Sequence, residues 1–378
     1  MKNLRFILIC ILLLPLTISN AQKSFTNNAE ISLITCSPGT DIYSLFGHTA
    51  LRIKDTISNI DVVFNYGIFD FNTKNFVWKF TKGETYYLLG VYPFDSFLNS
   101  YTYENRSVWE QKLNLGTEEK TVLIQLLLND NKPENRVYLY NFLYNNCATK
   151  VRDHLETALD ISDYKNLNPT NTLSIRETLS PYLTESAWTD FGINIALGKP
   201  LDQAISEREK LFLPLELMQA FENKGYSANE IFIRQASERT SNLFSPMFCI
   251  LCIGIIGLVT NLALKKKTLI PLYITLALTG IAGTILALLS FFSIHPTVYP
   301  NYNILIFQPL NIVLLVALLF KKNKKNLLLI GFVYNVLCLS AIFFMNQSIT
   351  KEAITILIIT ILFFGYALTN KKQIQAIA

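Results

Sequence analysis

The sequence predicts an α+β exported domain followed by an all-α bundle of five membrane-spanning helices. Three observations carry that prediction: an apolar leader behind basic residues, a mixed polar segment where alternating strands give way to helix-period runs, and a C-terminal third of uncharged apolar stretches separated by lysines. Of the 378 residues 51% are hydrophobic, and the excess sits at 6–18 and after 243 rather than through the whole chain. Net charge is only +5, and no basic run outside the membrane flanks interleaves with aromatics, which argues against nucleic acid as a partner.

Residues 1–21 read as a secretory signal, with Lys2 and Arg5 ahead of the apolar run Phe6–Leu14 and a small-residue cleavage site at Ser19-Asn20-Ala21. Residues 22–240 then form the exported domain and its helical extension, and 241–378 the membrane domain. Ile31–Thr35 is a short strand ending at the turn signal Cys36-Ser37-Pro38-Gly39. Leu51 and Ile53 alternate with Arg52 and Lys54. After the polar turn 55–59, Val62-Val63-Phe64-Asn65-Tyr66-Gly67 reads as the antiparallel return strand. The aromatic stretches 69–80 and 86–92 are expected to add strand, and 107–113 one strand more.

Thr117–Asn129 changes character. A cap, two acidic first-turn residues and Val122, Leu123, Leu126 and Leu127 at helical spacing predict a helix. A strand over 137–144 and a helix from Cys147 to Leu159 complete the expected core. From 160 to 240 the pattern is helical with loops, and Pro214 should kink or split the helix over 206–222.

Five apolar runs follow, near 244–264, 268–292, 303–320, 327–345 and 353–369, each close to the ~20 residues a bilayer crossing needs. Lys265–Lys267, then Lys321, Lys322, Lys324 and Lys325, then Lys371 and Lys372 fall at alternate ends, while 293–302 carries no Lys or Arg. Positive-inside logic puts those clusters and the C-terminus in the cytoplasm and residues 22–240 outside it. The signal sequence independently demands the same side.

Chemistry concentrates in two stretches. Cys147 stands where a helix should begin, after Asn145-Asn146, and a helix N-terminus favours a thiolate. His48, after Phe46-Gly47, opens the strand of the hairpin. A cysteine at a helix start with a histidine on a neighbouring strand is the papain-type arrangement, in which the imidazole takes the thiol proton and later returns it to a leaving group. Here the histidine comes first, so the expected fold is a circularly permuted papain-like (NlpC/P60-type) domain. If the hairpin turns near 57, Asn65 or Tyr66 falls across from His48 and is positioned to orient it, with Asp70 a third option. His154 lies two helical turns from Cys147, about 10 Å at 1.5 Å per residue, too far for a base, and is expected on a solvated helix face. Cys249 and Cys252 form a C-x-x-C inside an apolar run, which suits packing better than redox chemistry. No zinc spacing or cofactor motif appears. The polar, aromatic loop His295–Asn303 fits an interfacial belt, or else a surface facing the exported domain.

The stretches Ser-Leu-Phe-Gly-His-Thr-Ala-Leu-Arg at 44–52, Phe-Asn-Tyr-Gly-Ile-Phe-Asp-Phe at 64–71 and Asn-Asn-Cys-Ala-Thr-Lys-Val-Arg-Asp at 145–153 resemble the periplasmic domain of the Bacteroides-type membrane-bound lipoprotein N-acyltransferases. His295-Pro296 with Asn301, Asn303 and Pro309 is similar to that family's membrane portion. The resemblance implies an inner-membrane, multi-pass cysteine acyltransferase with Cys147 as nucleophile and His48 as base. It also implies a phospholipid acyl donor and a diacylated apolipoprotein acceptor. Two other readings compete: a membrane-anchored cysteine amidase or peptidase acting on cell-wall or lipid amides, and a non-enzymatic scaffold in which Cys36 and Cys147 form a disulfide.

Overall fold

The computed structural model describes residues 25–70, 72–160, 173–235, 244–263, 268–321 and 323–369. The expected signal 1–21 and the lysines at 265–267, 322, 371 and 372 lie outside the described residues.

Alternating apolar residues build a seven-stranded sheet from β1 (Glu30–Cys36), β2 (His48–Asp55), β3 (Ile60–Ile68), β4 (Tyr86–Pro93), β5 (Val108–Leu113), β6 (Val137–Leu139) and β7 (Ala228–Phe232). Their order is β6-β4-β3-β2-β1-β5-β7, and every neighbouring pair is antiparallel. Period-2 alternation separates two faces. Leu33, Leu51, Ile53, Phe64 and Leu89 meet the helices Thr117–Asp130, Cys147–Ala158 and Pro214–Glu222 through Leu123, Leu127, Val151, Leu155 and Leu217. Ile34, Ala50 and Val63 turn to the other face, under Phe94 and Phe97 of the helix Phe94–Tyr103.

Four elements differ from the expectation and one agrees with it. Residues 76–82 form a helix instead of strand: Asn75 and Gly83 adopt left-handed conformations at its two ends, and Phe76 and Phe80 stack four residues apart. Residues 94–103, which carried no helix expectation, pack Phe94 and Phe97 at helical spacing onto the sheet. The strand expected to run to Tyr144 stops at Leu139, because Asn141 and Asn145 bridge to each other and close a tight loop before the next helix. Ala228–Phe232 joins the edge of the sheet where only helix was expected. Pro214, lacking an N–H, does split its helix, into Glu207–Lys210 and Pro214–Glu222, and sits in the first turn of the second.

We number the described helices in chain order: α1 (Phe76–Lys82), α2 (Phe94–Tyr103), α3 (Thr117–Asp130), α4 (Cys147–Ala158), α5 (Ile175–Leu183), α6 (Ala187–Ala196), α7 (Glu207–Lys210), α8 (Pro214–Glu222), α9 (Pro246–Ala263), α10 (Ile270–Phe292), α11 (Asn303–Ile306), α12 (Leu310–Phe320), α13 (Lys325–Ala341) and α14 (Lys351–Leu368). Four stretches among the described residues are long and apolar enough to cross a membrane: 270–292, 303–320, 325–344 and 351–368. α9, where the first of five spans was expected, is apolar but shorter. The 303–320 stretch is broken between α11 and α12, and Gly280 and Gly283 of α10 let that break come close: a Cβ on Gly283 would overlap the Phe307 carbonyl.

The loop after α10 is not a free belt. Asn301 Nδ2 donates to the Ile195 and Ala196 carbonyls at 2.8 and 3.1 Å, capping the C-terminal end of α6. Asn303 Nδ2 reaches the Ile195 carbonyl at 3.2 Å. Gly198 N–H donates to Thr297 O, Lys199 N–H to Pro300 O, and Ile294 N–H to Lys82 O. His295 Nε2 donates to the Phe80 carbonyl at 2.8 Å. Of the two expectations for this loop, the structure takes the second: it faces the sheet-bearing domain and holds it.

Candidate active site

The site forms where β2, β3 and the N-terminus of α4 meet. Asn146 is the N-cap of α4: its Oδ1 accepts from Thr149 N–H at 2.9 Å, while Thr149 Oγ1 accepts from Asn146 N–H at 2.7 Å. Asn146 Nδ2 donates to the Phe142 and Phe212 carbonyls, tying the helix start to the segment after α7. Farther along α4, Arg152 pairs with Asp153, and Arg208 pairs with both Asp153 and Glu156. The reciprocal cap, with these part-exposed ion pairs behind it, fixes where the Cys147 side chain starts.

His48 opens β2, directly after Gly47, whose φ of 83° is a left-handed conformation. A Cβ there would press to 2.8 Å from the Cys36 carbonyl. His48 and Ala50 share one face of β2. On β3, Asn65 shares that face with Val63, while Tyr66 turns to the opposite one with Phe64. Asn65 Oδ1 lies 2.5 Å from His48 Nε2, so Nε2–H donates to it, and Asn65 Nδ2 donates to Tyr92 Oη at 2.5 Å. With Nε2 committed, Nδ1 is the nitrogen left for Cys147. Below the ring, Tyr101 of α2 stacks at 6.0 Å with a 20° tilt.

Gly67 makes room for the meeting. Its φ is 97°, and the β3–β4 register shifts between Asn65 and Ile68. A Cβ at Gly67 would touch Cys147 Cβ and His48 Cε1, each at 3.8 Å. The Cys147 thiol and the His48 imidazole therefore face each other across the one position of the strand that has no side chain.

Electrostatics couples the two groups. Burial pushes the Cys147 thiol up, but the His48 charge, the His48 hydrogen bond and the N–H groups of Thr49 and Ala148 hold it below its ordinary value. Burial pulls the His48 imidazole down, but the negative Cys147 and the bonds to Cys147 and Asn65 hold it above its ordinary value. The directions are those of a thiolate–imidazolium pair. Cys36, fully buried one strand away and opposite His48 in the register, has its thiol driven far up by burial. Cys36 and Cys147 are both free, so the disulfide of the scaffold reading is not formed.

The structure thus brings Cys147, His48 and Asn65 together. Tyr66 goes elsewhere: its hydroxyl donates to Asp130 Oδ2 at 2.9 Å and lies 2.8 Å from His154 Nε2. His154 also meets Asp130, at 3.0 Å, and is only 13% exposed. The expectation of a solvated His154 is corrected, because α3 packs beside α4 and supplies Asp130 as its partner. Asp70 accepts from the Asn72 N–H in an exposed turn and takes no part. Asn146, Gly67, Tyr92 and Tyr101 were not singled out from sequence. Asn146 was legible as a capping residue before a helix, and Gly67 as a glycine inside a strand, which marks a bulge or a close approach.

Among the described residues no cluster of His, Cys, Asp and Glu is arranged to hold a metal ion. Residues 20–179 match the family model described as the Lnb N-terminal periplasmic domain, and residues 238–373 match the Lnb transmembrane domain. The chain belongs to the Lnb family. The Lnb match makes it a membrane protein and takes in all three members of the constellation, since Cys147, His48 and Asn65 fall within 20–179. The interdomain loop 293–302 falls within the Lnb transmembrane match. Neither a curated protein nor a solved structure matches the chain.

Proposed function

We propose that this Lnb-family protein is a cysteine-dependent lipoprotein N-acyltransferase. Cys147 takes an acyl chain from a membrane phospholipid and passes it to the α-amine of the lipid-modified N-terminal cysteine of an apolipoprotein. One observation supports the reading: a thiol and an imidazole that favour each other's charged form sit in a domain bonded to the loop that ends a helix long and apolar enough to cross a membrane.

The chemistry follows from the pair. The thiolate adds to the ester carbonyl, and the tetrahedral intermediate collapses by breaking the C–O bond. The imidazolium returns its proton to the departing alcohol, leaving a thioester and a lysophospholipid. The acceptor amine then adds to the thioester while His48 takes its proton, the C–S bond breaks, and the thiolate is restored with an amide as product. Asn65 holds the imidazole through Nε2 so that Nδ1 serves both steps. The base-first, nucleophile-second order is that of a permuted papain-like enzyme. Donor and acceptor are both lipids, so tethering at the bilayer raises their effective concentration. We place the protein in the inner membrane, with the catalytic domain in the periplasm, α9 as a fifth span and the C-terminus in the cytoplasm.

The test is reconstitution in phospholipid bilayers with a peptide bearing diacylglyceryl cysteine at a free amino terminus. The expected result is a mass gain of one acyl group on that amine, lost in Cys147→Ser and in His48→Ala. Turnover surviving in either variant, or cleavage of cell-wall amides without any acyl transfer, would overturn the reading in favour of an amidase.

A further inference from the structure

Helix α1 exposes more apolar surface than a solvated helix of seven residues accounts for. Val77 is 76%, Trp78 53% and Phe80 44% exposed, with Lys79 and Lys82 alongside. Its C-terminal end rests on the outer end of α10: Ile294 N–H and His295 Nε2 bond to Lys82 O and Phe80 O, and a Cβ on Gly83 would press to 2.9 Å from Ile294 Cγ1. There the last turn of α10 shows Phe291 and Phe292, each 65% exposed, beside Ile294. The apolar side of α1 is therefore continuous with the lipid-facing side of a membrane-spanning helix. Aromatic residues with lysines at such a position are the composition of an interfacial helix.

From α1 a row of rings leads inward. Phe80 meets Phe76 at 6.2 Å, Phe76 stacks on Phe69 at 5.7 Å, Phe69 on Tyr87 at 4.8 Å, and Tyr87 on Tyr140 at 4.2 Å. Phe69, Tyr140 and Cys147 pack against the same core, and Phe69 follows by two residues the Gly67 that lies over Cys147. The aromatic cluster of Phe46 with Phe142 and Phe212, also near the start of α4, packs with Leu143 and Leu213 and borders a cavity lined by Arg152, Asp153, Arg208 and Glu209, charged groups that suit an alkyl chain poorly.

We propose that the row Phe80–Phe76–Phe69–Tyr87–Tyr140 seats one fatty acyl chain between the bilayer and Cys147, with α1 lying in the outer leaflet as its entrance. The ligand class is a single unbranched alkyl chain, which would lie along the edges of rings whose faces stack on one another. This rests on reading Cys147 as an acyl-transfer nucleophile, but the seat itself is testable without turnover. In the full-length protein in phospholipid nanodiscs, Cys147 is alkylated with an iodoacetamide carrying a long alkyl tail and a terminal diazirine, then irradiated. A thioether forms with no acyl transfer required, and adducts are expected on Phe69, Phe76, Phe80 or Tyr87. Phe76→Ser should deplete the adducts at Phe80 by tenfold or more. In a variant keeping Trp78 alone of the three tryptophans, brominated phospholipids should quench its emission. Adducts confined to 142–144 and 205–213, or an unquenched Trp78, would overturn the proposal. Labelling of the row in a protein that phospholipid never acylates would sustain the seat and remove the donor reading.

Discussion

Replacing Asn65 with alanine isolates the residue that orients the base. The substitution removes the Oδ1 acceptor from His48 Nε2 and the Nδ2 donor from Tyr92 Oη, in a position only 7% exposed. A hydrogen bond to a charged group is worth about 1.5–3 kcal/mol. At 1.36 kcal/mol per tenfold, the rate of Cys147 acylation should fall about 10- to 100-fold. The sign of the pH effect follows from the same bond. The pair is populated between the lowered pKa of Cys147 and the raised pKa of His48. Without Asn65, His48 loses one of the interactions that raise it, so its proton leaves at lower pH and Cys147 loses its partner charge. The pH range of fast reaction therefore narrows from its alkaline side, while the acid limit set by Cys147 beside a protonated His48 stays in place. Stopped-flow acylation by a short activated ester across pH, with iodoacetamide alkylation in parallel, measures both effects. Asn65→Asp, which keeps the acceptor, should recover most of the rate. A rate for Asn65→Ala within twofold of wild type, with an unchanged pH profile, would refute the orienting role.

Other perturbations test the frame around the pair. Asn146→Ala removes an N-cap, about 0.5–2 kcal/mol, and leaves the Phe142 and Phe212 carbonyls without their donor, so its melting temperature should drop; Asn146→Asp keeps the cap but sets a carboxylate against those carbonyls, so it should not recover the wild-type melting temperature, and a full recovery would show that the Nδ2 bonds contribute nothing. Tyr66→Phe should cost about 1–3 kcal/mol by taking the hydroxyl from Asp130 and His154, which still meet each other, while alkylation of Cys147 keeps its wild-type rate; a large loss of thiol reactivity would contradict the opposite-face assignment. Burial pushes the Asp130 carboxyl up, but His154 and Tyr66 hold it below its ordinary value. Its contribution is present above the unfolded pKa of about 3.9 and lost as pH falls through the lower folded value, so Asp130→Asn should flatten acid unfolding there. Asn301→Ala should release α6 from the 293–302 loop, seen as faster proteolysis in 187–200 by limited digestion; unchanged digestion would show that the other contacts suffice.

Much of the sheet and the site was legible because β2 and β3 alternate cleanly and the polar turn between them fixes the register within a residue. That register is Leu51 opposite Phe64 and Asp55 opposite Ile60, which leaves Asn65 diagonal to His48 on one face. The choice between Asn65 and Tyr66 needed the face each side chain takes, which alternation decides only once the register is known. Residues 76–82 were read as strand because aromatic residues favour it, whereas tertiary contact with α10 and left-handed end residues make them helical. His154 looked solvated because its partner Asp130 stands 24 residues earlier, on a helix whose packing no local pattern announces. The polar loop after α10 was ambiguous for the same reason, since its partners are carbonyls at the far end of α6.

The covalent intermediate tests the central claim most directly. Incubating the reconstituted protein with phospholipid and no acceptor should load one fatty acyl group on Cys147 and release a lysophospholipid, provided water is kept from the thioester. Intact-mass measurement should show that single adduct, removable by hydroxylamine, absent from Cys147→Ala and discharged as an amide when a diacylglyceryl-cysteine peptide is added. An unmodified Cys147 after prolonged incubation, in a preparation whose thiol still reacts rapidly with iodoacetamide, would contradict acyl transfer from phospholipid.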